Sequence, residues 1–126
     1  MGALVLCAAE PAPISLELNR LDEHGGSCRA SFVIANPGPE AYDGFKLDLV
    51  VFDKSGTIAR RLAADVAPLR ASKTAVKVFD IPETHCGAIG SILVNDVLDC
   101  RAGDNPAADC VGRLAVSSKL AVKLLK

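Results

Sequence analysis

The residues able to do chemistry in this 126-residue chain are few: five cysteines, at positions 7, 28, 86, 100 and 110, and two histidines, His24 and His85. Each histidine lies close to a cysteine, His24 shortly before Cys28 and His85 immediately before Cys86. Two imidazoles and two thiolates suit tetrahedral zinc or a soft copper ion, so His24, Cys28, His85 and Cys86 form a candidate metal site if the fold brings them together. The spacing is not that of a zinc finger or ribbon, and the competing chemistry is oxidation. The N-terminus argues for it. Ala3-Leu4-Val5-Leu6-Cys7-Ala8-Ala9 is a short apolar stretch ending in small residues, followed at once by Glu10-Pro11-Ala12-Pro13. Residues 1–9 read as the remnant of a secretory signal peptide cleaved after Ala9, and 10–13 as a linker into one domain over 14–126. Cleavage removes Cys7 and leaves Cys28, Cys86, Cys100 and Cys110, an even set for which two disulfides are expected in a periplasmic or extracellular protein.

Other chemistries find less support. Cys86 and His85 are neighbours, and on an extended chain neighbours point to opposite faces, so they make a poor catalytic pair. Asp96, Asp99, Asp104, Asn105 and Asp109 offer hard oxygen atoms of the kind calcium prefers, but without the regular spacing and closing Glu of a calcium loop. Asp48, Asp53, Glu17 and Asp22 read as solubilising charge on strand faces and turns. The sequence holds no nucleophile elbow, phosphate loop, zinc-protease helix motif or dinucleotide fingerprint, so the expectation is a non-enzyme without a cofactor. Charge narrows the partners. Fourteen basic and fifteen acidic residues give a net charge of −1, which is no footprint for nucleic acid or anionic lipid. Four Phe, one Tyr and no Trp leave little to stack on bases. No apolar run approaches the roughly 20 residues of a spanning helix, so membrane insertion is not expected.

The elements that must position the cysteines read as strands. Period-2 alternation, punctuated by Gly, Pro, Asn and Asp, gives seven: 14–18, 28–35, 45–53, 57–62, 73–79, 88–98 and 114–124. Asp53-Lys54-Ser55-Gly56 is a hairpin loop in which Asp opens the turn and Gly56 takes the left-handed position. The fourth strand, with Arg60 and Arg61, reads as a protected edge, and the sixth, apolar on both faces, as central in its sheet. The expected core is Leu16, Phe32, Ile34, Phe45, Leu47, Leu49, Val76, Val78, Leu93, Val116 and Leu120, with Lys73, Lys77, Arg60 and Arg61 on a solvated outer face. Seven strands of this kind predict an all-β, two-sheet, immunoglobulin-like sandwich.

The run Ala30-Ser31-Phe32-Val33-Ile34-Ala35-Asn36-Pro37-Gly38, followed by Lys46-Leu47-Asp48-Leu49-Val50-Val51-Phe52-Asp53-Lys54-Ser55-Gly56, resembles bacterial exported immunoglobulin-like domains of the FxLYD and CARDB kind. It is also similar to small proteobacterial proteins known by a Tat-type export signal. The resemblance covers the middle half of the chain and implies a fold, not a chemistry. In such a sandwich the starts of strands two and six share one end, and the loop after strand six lies at the other. The expected links are therefore Cys28 with Cys86 and Cys100 with Cys110. The functional expectation is a non-catalytic exported module that binds a protein partner through an edge strand or serves a cell-envelope complex. The alternative is a periplasmic metal-binding protein using His24, Cys28, His85 and Cys86.

Overall fold

Alternating apolar side chains become strands throughout the computed structural model, which describes residues 13–126. The strands are β1 (Ile14–His24), β2 (Ser27–Asn36), β3 (Gly44–Asp53), β4 (Ile58–Asp65), β5 (Lys73–Ile81), β6 (Ile89–Ala102), β7 (Asn105–Pro106), β8 (Leu114–Ser118) and β9 (Lys123–Leu125). A 3-10 turn at Cys86–Ala88 precedes β6, and a single helical turn, α1 (Cys110–Arg113), follows β7. They form two sheets, one in the order β5-β2-β1-β8, the other in the order β4-β3-β6-β7 with β9 also paired to β6.

Local sequence explains the joints. Between β1 and β2, Gly25 and Gly26 both take positive φ, 51° and 81°, as a two-residue hairpin with the right-handed twist of its strands requires. After β3 the expected Asp-x-x-Gly loop forms: the Asp53 carboxylate accepts from the backbone N–H groups of Ser55 (2.9 Å) and Thr57 (3.0 Å). Gly56 there has φ 84°. The Ser55 hydroxyl and these amides hold the Asp53 carboxyl below its ordinary pKa.

Among the described residues nine strands replace the expected seven, and the differences have identifiable causes. The expected strand 114–124 is broken because the Ser118 hydroxyl donates to Val122 O (2.6 Å) and accepts from Leu120 N (3.0 Å), closing a turn. That turn carries the chain from one sheet to the other, and β8 pairs in parallel with β1 while β9 pairs in parallel with β6. An immunoglobulin sandwich has antiparallel sheets, so these two pairings are a further departure. β6 also runs four residues past its expected end, placing Cys100 opposite Phe45 within the sheet. β4 is an edge and β6 is interior to its sheet, as expected.

Between the sheets Leu16, Phe32, Ile34, Phe45, Leu47 and Leu49 are buried together with Ile14, Leu18, Val51, Ile92 and Val94. Val116 and Leu120 are partly buried against them. Val76 and Val78 are not core residues: they are 64% and 49% exposed. The faces of β5 are the reverse of those expected, because Phe79 and Ile81 share the other face and pack inward. Leu93 is half-buried on the outer side of β6 opposite Val50.

Candidate functional site

At the cysteine–histidine end, the turn after β1 meets the segment that leads into β6. Cys28 and Cys86 are joined by a disulfide, with their Cα atoms 5.0 Å apart. Glu23, at the end of β1, accepts from the backbone N–H of Cys86 (2.6 Å). Its second oxygen lies 3.7 Å from His85 Nδ1, on a histidine that is 84% exposed. His24 is also exposed. The structure gathers the four candidate ligands at one end without making a ligand set of them, because the two sulfurs are consumed by their mutual bond. Among the described residues no three His, Cys, Asp or Glu side chains are grouped to hold a metal ion. Cys100 and Cys110 form the second disulfide, Cα 6.6 Å apart, tying β6 to α1. The two links pair the cysteines that the strand order brings together, and they suit an oxidising compartment. The stretch read as a signal peptide, 1–9, and residues 10–12 of the linker lie outside the described residues.

The acidic segment does not form one loop. Asp96 and Asp99 belong to β6, and Asp99 is paired with Arg101 at 2.9 Å. The feature the sequence did not announce is Asp48. Although it lies on the outer face of β3, it is only 4% exposed. Arg61 on β4 grips it with two bonds, 2.9 and 2.6 Å. Asn95 donates a third at 2.9 Å, from a bulge in β6 that leaves it without a partner residue on β3. Bulges re-aim side chains, and this one turns an amide onto the carboxylate. The bonds from Arg61 and Asn95 outweigh the burial that opposes them and hold the Asp48 pKa at about 2.

A depressed carboxylate contributes stability above its unfolded pKa and loses it as pH falls through the folded value. Here the window runs from about pH 4 down to about pH 2. Its worth is at most about 2 kcal/mol, reduced because Arg61 is solvent-exposed. Asp48→Asn is therefore expected to lower stability at neutral pH by roughly 1–2 kcal/mol, with the gap closing by about pH 2. Parallel urea titrations of both proteins across that range would show it, and a gap that persists at pH 2 would remove the ionic explanation.

The other place of interest is the side of the sandwich where β4 and β5, the terminal strands of the two sheets, approach each other. Arg60 of β4 donates to Glu83, just past β5, at 2.8 Å, closing one end. At the other end lies a cleft of about 250 Å³ lined by Ile34, Pro68, Leu69, Ala75 and three cations, Arg70, Lys73 and Lys77. Arg60 and Arg61 are thus neutralised within the fold, whereas none of the three cleft cations has a carboxylate at salt-bridge distance among the described residues. Lys73, Lys77, Arg60 and Arg61, expected on a solvated outer face, are divided between two sheets, and Lys73 and Lys77 share the face of β5 that carries Phe79 and Ile81.

No family model matches the chain, and no curated protein matches it in sequence. A solved structure described as the structural characterisation of IrmA from Escherichia coli is similar in fold, with a TM-score of 0.65 over 82% of this chain and 90% of that one. The identity is 11%, so the likeness is one of architecture. No helix among the described residues is long and apolar enough to cross a membrane.

Proposed function

We propose that the chain is a non-catalytic, exported β-sandwich that binds a protein partner, or joins a cell-envelope assembly, through an edge strand. The observation that carries this reading is β5: among the described residues it ends its sheet and pairs with β2 alone, and it presents Val76 and Val78 to solvent on its outer face. A terminal strand offers a row of backbone donors and acceptors, and strand addition uses that row for affinity and neighbouring side chains for specificity. The two disulfides support export, since such links persist in oxidising compartments. The arrangement β5-β2-β1 against β4-β3-β6 supports reading the sandwich as an immunoglobulin-like variant whose last strand divides between the sheets.

A photo-crosslinking residue placed at Val78 in the producing cell tests the reading, with Ala115, exposed on β8 at the opposite edge of the same sheet, as control. The expected result is an adduct of defined mass at position 78, absent at 115 and suppressed by Val76→Lys. Equal adducts at both positions, or none at 78, would defeat it.

A further inference from the structure

The inward face of β5 is unusual for a strand that borders a core. Along it run Lys73, Ala75, Lys77, Phe79 and Ile81, so the half-buried Lys77, directly opposite the buried Phe32, shares a face with Phe79 and Ile81, which pack on the core. An inward-pointing charge on an edge strand is a known guard against random pairing, because an incoming strand must bury a side chain against it. Here the guard is also a selector. The side chain that would lie beside Lys77 on an added strand enters the cleft walled by Arg70, Lys73 and Ile34, since directly opposed residues of paired strands share a face. An apolar residue there leaves the cations uncompensated, a basic one adds to them, and a carboxylate pairs with them. On the outer face the added strand meets Val76 and Val78. That side favours apolar residues.

We propose that β5 accepts an extended segment of a protein partner in which acidic side chains alternate with apolar ones, the acids turned into the Arg70/Lys73/Lys77 cleft and the apolar residues covering Val76 and Val78. This rests on the edge-strand reading above and adds to it the chemistry of the partner. A second copy of β5 does not fit the description, because it brings its own Lys73 and Lys77 to the same face. β4 is the poorer edge for such a partner, because its arginines are already engaged by Glu83 and Asp48.

The test uses three nine-residue peptides, alternating Glu and Val, alternating Lys and Val, and the Glu/Val peptide N-methylated at every second amide. Binding is read by fluorescence polarisation and by amide exchange of the protein. The Glu/Val peptide is expected to bind at least about tenfold more tightly than the Lys/Val peptide and to slow exchange along β5, with the N-methylated peptide inert. Lys73→Glu with Lys77→Glu is expected to reverse the preference. If that variant unfolds, Lys73→Gln with Lys77→Gln is expected to abolish the preference while β5 still pairs. Equal binding of the acidic and basic peptides, protection centred on another strand, or binding by the N-methylated peptide would overturn the proposal. The two readings fail separately. Crosslinking at Val78 with no charge preference among peptides removes the alternating-acid partner alone. A charge preference without crosslinking removes the cellular partner on which the inference rests.

Discussion

Replacing Cys28 and Cys86 together by alanine is expected to cost roughly 4 kcal/mol, from the loop entropy that a link across 58 positions of sequence removes from the unfolded chain. Against a typical domain stability of about 5–15 kcal/mol, that is a large share. The Cys100–Cys110 link closes a loop of only ten positions and by the same reasoning is worth roughly 3 kcal/mol. Alanine is the suitable replacement because Cys28 is fully buried and a serine hydroxyl there would lack a partner. Urea unfolding of the oxidised proteins measures the effect, and a loss below about 1 kcal/mol would mean that the link spans segments already ordered in the unfolded state. The same experiment separates structure from metal chemistry. His24→Ala with His85→Ala should leave the midpoint nearly unchanged, and a chelator should have no effect. A large fall in either case would mean that a metal supplies folding energy.

Phe32→Ala is expected to cost roughly 3–5 kcal/mol, the range for emptying an aromatic site in a close-packed interior. Phe32 is 1% exposed on β2 and faces Phe79, with ring centroids 6.2 Å apart. Its removal thus also strips the contact that holds the inner face of the terminal strand β5. Thermal and urea unfolding should agree on the size. A loss below about 1 kcal/mol would mean that neighbouring side chains collapse into the space. The two substitutions act differently, one on the unfolded chain and one on the folded core, so their effects should nearly add. Their sum, roughly 7–9 kcal/mol, is comparable with the whole stability of a typical domain in the lower half of the usual range, about 5–15 kcal/mol, and the combined variant is expected to be largely unfolded at 37 °C.

Most of the strand pattern was readable because burial on one face imposes a period of two that hardly any other structure shares. Leu16, Phe32, Ile34, Phe45, Leu47 and Leu49 all lie where that period puts them. The period does not fix its own phase. In β5 the pair Val76 and Val78 competes with Ala75, Phe79 and Ile81, and the presence of Lys77 in the second set argued for the wrong face. The weight of an aromatic residue and an isoleucine at one phase was the available signal. Asp48 was unreadable for another reason: its burial depends on Arg61 from the neighbouring strand and on a bulge that displaces Asn95, neither of which leaves a local mark. The break after Ser118 depends on which way one hydroxyl turns, and the run of apolar alternation passes through it undisturbed. At the cysteine–histidine end, proximity was foreseen while the chemical state of the sulfurs decided what proximity meant.

The parallel pairing of β1 with β8 sets the order in which the molecule can be completed. Ile14 takes Leu114 as its partner, so the flank of the first strand waits a hundred residues for its neighbour. Contacts between such distant positions slow folding, because loop closure must be achieved before they give any return. A chain emerging from its N-terminus therefore carries β1 and β2 as a hairpin with one side open until the final segment has arrived. That segment then closes both sheets in a single pass, through β8 on one and β9 on the other. Until that moment the polypeptide is unfinished, whatever the preceding strands have achieved.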